Sequence, residues 1–142
     1  MVGVVIATHG RLAEELLACA EVITGKLPRA RAVSVSSNVP MDEARDALAL
    51  AIREVEDGDG VLVLTDMLGG TPANLALGFL EDRVDVVTGV NLPMLLKLST
   101  CRAAHASLSD IARLITGYGQ KNITLASELL RARARGGGAE SP

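Results

Sequence analysis

Four short, unbroken aliphatic runs, each followed by a segment of helical periodicity, constrain this chain more than any other feature. The runs are Val2 to Thr8, Ala32 to Ser36, Gly60 to Thr65 and Val84 to Thr88. Their apolarity is continuous rather than alternating. A strand of that kind is covered on both faces, which is the condition of a parallel strand between two helical layers. The intervening segments read as helices. Leu12, Leu16, Ala20 and Ile23 recur at helical spacing, and Gly25 is a plausible stop. Ala44, Leu48, Ala51, Ile52 and Val55 form a second stripe, with Asp42 and Glu43 in the first turn, where the positive end of the helix dipole favours them. Asp57 to Gly60 makes a turn. A third helix starts near Pro72, a fourth covers Pro93 to Cys101, and a last begins near Ser107, with Gly117-Tyr118-Gly119 expected to break or kink it.

Strand–helix alternation predicts an α/β fold, doubly wound, with a mainly parallel four-stranded sheet in the order 2-1-3-4 and helices on both faces. The β-branched residues in Gln120 to Leu125 add a candidate C-terminal edge strand. The 142 residues suffice for one domain with a full core. Residues 1–130 are read as that domain and 131–142 as a disordered tail, and no internal repeat is visible. With one Tyr, one Phe and no Trp, the core must be aliphatic.

The same composition excludes several functions. Few aromatics leave no stacking platform for single-stranded nucleic acid, and a net charge of −3 supplies no footprint for DNA. Arg131, Arg133 and Arg135 alternate before Gly136 and read as a solvated helix end or tail. Cys19 and Cys101 share no metal-ligand spacing; Cys19 is expected to be a small buried hydrophobe on the first helix. Met1 to Ile6 lacks the basic start of a secretory signal, and no apolar run approaches the ~20 residues of a membrane helix. The expectation is a cytoplasmic chain with reduced thiols.

In doubly wound sheets ligands bind beyond the carboxyl ends of the strands. That rule directs attention to Thr8-His9-Gly10, Ser36 to Pro40, Asp66 to Asn74 and Gly89 to Pro93. His9 follows the first strand, where it can act as nucleophile, acid or base near neutrality; a strand-end histidine also serves simply to bond backbone. Asp66 follows the third strand. If the first and third strands are neighbours, its carboxylate can accept from one ring N–H of His9 and leave the other nitrogen a free lone pair. Taken alone, Asp66 reads equally as a turn or cap residue. Gly69-Gly70-Thr71-Pro72 then offers glycines that permit positive φ and backbone N–H groups that can face an anion, with Thr71 as N-cap and Pro72 as first helical residue. No Gly-Lys-Ser/Thr follows, so this is not a nucleotide-binding P-loop. A nucleophile, an orienting carboxylate and an anion cradle (Gly69, Gly70, Thr71), with no metal cluster and no cofactor, fit the transfer of a phosphoryl group between protein side chains. His105 lies in a polar connection and is read as an exposed surface residue; Asn91-Leu92-Pro93 is read as a wall of the site or a plain strand-to-helix turn.

At these residues the chain resembles the mannose-family (fructose/mannose) IIA components of the bacterial phosphoenolpyruvate-dependent sugar phosphotransferase system. The matching stretches are Val4-Val5-Ile6-Ala7-Thr8-His9-Gly10, Asp66-Met67-Leu68-Gly69-Gly70-Thr71-Pro72-Ala73-Asn74 and Gly89-Val90-Asn91-Leu92-Pro93-Met94-Leu95, in the family's order and spacing over about residues 1 to 130. The resemblance implies a phosphocarrier phosphorylated on His9 by the protein HPr and assisted by Asp66. It also implies a homodimer, onward transfer to a IIB component, and contact with the membrane only through a sugar permease. Arg11 and Leu68 depart from members that carry aromatic groups near the site. No IIB sequence follows, so the acceptor is expected to be another chain or to be absent. Two other roles would use the same histidine: a regulatory phospho-sensor without transport, and a phosphoryl donor to a dihydroxyacetone kinase. A hydrolase fits least, since no nucleophilic serine elbow or metal set is visible.

Overall fold

The computed structural model describes residues 1–103 and 106–136. The elements run β1 (Gly3–His9), α1 (Leu12–Thr24), β2 (Ala30–Val35), α2 (Met41–Val55), β3 (Val61–Thr65), α3 (Thr71–Leu77), β4 (Val84–Thr88), α4 (Leu92–Cys101), α5 (Leu108–Lys121) and α6 (Ala126–Arg135). The four strands form one all-parallel sheet, as the alternation predicts, in the expected order β2-β1-β3-β4.

The aliphatic strands are continuous because each face of the sheet has its own helical cover. Val4, Ile6, Leu62 and Leu64 point to one side and pack with Ala13 and Ala20 of α1, Leu95 and Leu98 of α4 and Ile115 of α5. Val5, Ala7, Val61 and Val63 point to the other and meet Leu48 and Val55 of α2 and Leu75 and Ala76 of α3. Each fully buried Leu or Ile contributes roughly 1.5–3 kcal/mol, so the two central strands anchor both layers. Ile6 is paired with Ala32 on one side and Leu64 on the other, which sets β1 at the middle of the register.

Four local expectations need correction. The buried stripe of α1 runs through Ala13 and Ala20, with Leu16 and Leu17 partly covered, whereas Leu12 and Ile23 are exposed. The buried face keeps Leu16 and Ala20 of the expected stripe but turns from Leu12 and Ile23 toward Ala13 and Leu17, and Cys19 faces solvent. Gln120 to Leu125 is not an edge strand: Gln120 and Lys121 finish α5, and Asn122 to Leu125 lead into α6. Nor do Gly117 and Gly119 break α5, which passes through both; Gly119 lies directly against the Met94 side chain, so the absence of a side chain there lets α4 and α5 approach. Arg131 to Arg135 belong to α6, while residues 137–142 of the expected tail lie outside the described residues, as does His105.

One buried charge was not anticipated. Arg102, only 3% exposed, ends α4 and donates to the carbonyls of Leu98 (3.2 Å), Val2 (2.9 Å) and Pro28 (2.8 Å). The guanidinium fork thus joins α4 to the starts of β1 and β2 at the end of the sheet opposite the strands' carboxyl termini. Burial lowers its pKa from the ordinary value. Its hydrogen bonds to three carbonyls replace the carboxylate that a buried arginine usually requires.

Candidate functional site

β1 and β3 are neighbours, and their ladder ends with Ala7 opposite Thr65. His9 and Asp66 are carried just beyond that last pair. The carboxylate of Asp66 there does what the next residue of a strand would have done: its Oδ2 accepts the backbone N–H of His9 at 3.1 Å. The same oxygen lies 2.8 Å from Nδ1 of the His9 ring, and Oδ1 accepts from the backbone of Met67 at 3.1 Å. A carboxylate accepts only, so it selects the Nδ1–H tautomer and leaves the Nε2 lone pair free. The His9 side chain is 49% exposed and that of Asp66 15%. Burial pushes the Asp66 carboxyl upward, but the hydrogen bonds from the His9 ring, the His9 amide and the local backbone outweigh it and hold the group below its ordinary 3.8. The anionic partner that an orienting role requires is therefore present at neutral pH.

Thr8 sets the other side of this turn. It is fully buried, and its hydroxyl oxygen accepts from the Ala13 amide at 2.6 Å. This satisfies one of the free donors in the first turn of α1, for which Arg11 provides no side-chain cap. Arg11 instead pairs with Glu14 and Glu15 along the helix surface.

The two glycines of the loop after β3 are there for different reasons. Gly69 has φ +89 and open space around it, so the backbone itself requires glycine. Gly70 is extended, at φ −87 and ψ 167, a conformation open to any residue. A Cβ there would lie 2.5 Å from Cε1 and 3.1 Å from Nε2 of His9. Gly70 is thus the surface against which the imidazole rests. It also caps α3 in place of Thr71, which is the first helical residue, with Pro72 after it. Only seven residues long, α3 carries a weak dipole.

On the β2 side, a cavity of about 250 Å³ opens between His9, the loop after β2 and Thr71. Three hydroxyl side chains, Ser36, Ser37 and Thr71, border it over Val35, Val39 and Met41. The sequence marks Ser36 to Pro40 as a loop at the ligand edge, but contains no signal that singles out these serines. Asn91 holds the fold together: its side chain accepts from the Met94 amide (3.2 Å) to cap α4 and donates to the Gly119 carbonyl (3.1 Å). Cys101 is half-buried, and burial pushes its thiol above the ordinary value, away from nucleophilic character. Among the described residues no group of three His, Cys, Asp or Glu side chains could hold a metal ion, and no helix is long and apolar enough to cross a membrane.

A doubly wound α/β domain with a carboxylate-oriented histidine at the carboxyl edge of its central strands defines the class. Within it, the chain belongs to the mannose-type family described as the PTS system fructose IIA component, which matches residues 3–116. It is 30% identical over 132 residues to the PTS system fructose-specific EIIA component of Bacillus subtilis, covering 92% of this chain and 90% of that protein. The phosphotransferase system component EIIA from Streptococcus agalactiae superposes with a TM-score of 0.80 at 28% identity, over 90% of this chain and 99% of that one. The PTS IIA protein associated with the fucose utilization operon of Streptococcus pneumoniae does so at 0.77 and 29%, over 92% and 99%. A phosphocarrier role of the phosphotransferase type follows from this membership.

Proposed function

We propose that His9 Nε2 accepts a phosphoryl group from phospho-HPr and passes it to a IIB component, in the service of sugar uptake. The observation that carries this reading is the 2.8 Å contact between Asp66 Oδ2 and His9 Nδ1, which leaves the Nε2 lone pair free. Transfer then needs no net proton movement. The Nε2 lone pair forms the new N–P bond as the donor's N–P bond breaks, and the donor imidazole, protonated on its other ring nitrogen, departs with that electron pair as a neutral N–H ring. The proton on Nδ1 stays against Asp66, whose negative charge balances the imidazolium character of the phosphorylated ring. Positioning and electrostatic stabilisation supply the catalysis, as in phosphoryl transfer generally. Gly69, Gly70 and Thr71 line the loop against which the incoming group would sit. The similarity to a fructose-specific component supports a sugar of that class as the eventual cargo.

Incubation with phosphoenolpyruvate, enzyme I and HPr, followed by intact-mass measurement, tests the proposal. Wild type gains one phosphoryl group, His9→Ala gains none, and His105→Ala behaves as wild type. Labelling that persists in His9→Ala would overturn it. Family resemblance also supports a homodimer. The exposed Ile123, Leu125 and Leu130 around α6, which has no buried residue, offer apolar surface for it. Sedimentation at micromolar concentration is expected to give twice the chain mass, and a monomer would exclude the dimer.

A further inference from the structure

We propose that Ser36 and Ser37 form a second, hydroxyl-based half of the phosphoryl-binding site, facing Thr71 across the cavity beside His9. The inference rests on phosphorylation of His9. A phosphoryl group carries a charge of about −1.5 to −2 and three strong acceptor oxygens, and each oxygen needs a donor. Among the described residues no lysine or arginine borders the cavity. Arg11, next in sequence to the turn, is 77% exposed and engaged with Glu14 and Glu15. The short α3 adds little dipole, so side-chain hydroxyls add to the backbone N–H groups of the Gly69 to Thr71 loop as donors.

The sheet register delivers them. His9 is paired with Val35, the last residue of β2, so Ser36 and Ser37 leave the sheet at the level where the imidazole stands. Adjacent strands are about 4.8 Å apart, within reach of a phosphoryl group bridging from Nε2. The hydroxyls are also available. Ser36 Oγ accepts from the Asn38 amide at 3.1 Å, which uses a lone pair and leaves its proton to donate. Ser37 and Thr71 make no side-chain hydrogen bond among the described residues. Thus Ser36, Ser37 and Thr71 present three O–H donors around one cavity that also contains the nucleophile. Neutral donors suit a carrier: they orient the phosphoryl oxygens without the charge neutralisation that would trap the group, and the phosphoryl remains transferable.

The test compares wild type, Ser37→Ala, Ser36→Ala/Ser37→Ala and Ser37→Thr, each phosphorylated with phosphoenolpyruvate, enzyme I and HPr. Ser37→Ala is the decisive variant because it leaves the Ser36–Asn38 turn bond intact. Loss of one neutral hydrogen bond is expected to slow transfer about 5-fold. The double variant should slow it by about 10- to 100-fold, shorten the lifetime of the phosphohistidine and move its ³¹P resonance. Ser37→Thr, which keeps the hydroxyl, should restore rate and resonance. A wild type that is labelled, beside variants with unchanged rate, lifetime and ³¹P shift, overturns this inference alone. A wild type that accepts no phosphoryl group overturns the phosphocarrier reading and this one with it.

Discussion

One oxygen of Asp66, Oδ2, holds His9 twice: it accepts the backbone N–H at 3.1 Å and lies 2.8 Å from the ring Nδ1. The first bond fixes where the residue leaves the strand, and the second fixes how its ring is turned. Position and tautomer therefore depend on the same carboxylate.

Asp66→Asn separates orientation from mere space-filling. The amide fits the same volume, but it can present NH₂ to the ring and favour the wrong tautomer, and it cannot balance an imidazolium. Orientation losses reach ~10⁴-fold in a serine protease. With a ring that is 49% exposed, solvent weakens the electrostatic part, and a loss on the order of 10- to 100-fold is expected here. Rapid-quench transfer from phospho-HPr reads it, with circular dichroism unchanged. Equal rates would reduce Asp66 to a turn residue.

Gly70→Ala and Gly69→Ala should fail in different ways. A methyl group at Gly70 meets His9 Cε1 at 2.5 Å, so the half-exposed ring must swing away from Asp66. Transfer is expected to fall at least ~10-fold, well beyond the effect of one neutral hydrogen bond, with little change in unfolding midpoint. Gly69→Ala strains a backbone at φ +89 and should cost roughly 1–2 kcal/mol of stability, measurable by urea titration, with a smaller kinetic effect. The reverse pattern would remove the ring-rest role from Gly70.

Acid should destabilise the fold through two identifiable carboxyls. For Glu56, burial raises the pKa, but the amides of Gly58 and Gly60 and the Arg83 guanidinium together carry it below the ordinary 4.5; Asp66 likewise lies below 3.8. Because both folded values are depressed, the stability they add is fully present above the ordinary values and is lost as pH falls through the folded ones. Urea midpoints should therefore be flat from pH 7 to about 5 on this account and decline from below pH 4.5. Glu56→Gln should reduce that slope. A midpoint that rises on acidification would contradict the assignment.

Arg102 should matter to stability and not to transfer. Its removal leaves the Val2 and Pro28 carbonyls without their charged donor in a buried setting. Arg102→Ala is expected to destabilise by about 3 kcal/mol, and Arg102→Lys by less, since an ammonium keeps part of the donor set although it cannot span all three diverging carbonyls. The phosphorylation rate of the folded fraction should be unchanged, because the residue sits at the opposite end of the sheet.

Much of this molecule was legible before folding was considered. Unbroken aliphatic runs mark Val4, Ile6, Leu62 and Leu64 as buried on two-sided strands, and helical segments between them force parallel connections. Once β1 and β3 are neighbours, strand-end positions bring His9 and Asp66 together. These conclusions depend only on periodicity and connectivity, which a linear sequence records. The rotation of α1, the helical fate of Gln120 and Lys121, the carbonyl-filled site of Arg102 and the serines beside His9 depend instead on which distant groups approach one another. Gly69 and Gly70 show the difference most directly. The same residue type occurs twice in succession, yet one is needed for its own backbone angle and the other because the imidazole of His9, from the end of another strand, rests against it. A backbone angle is a local property, but van der Waals contact across the sheet exists only when register and packing have placed the two residues side by side.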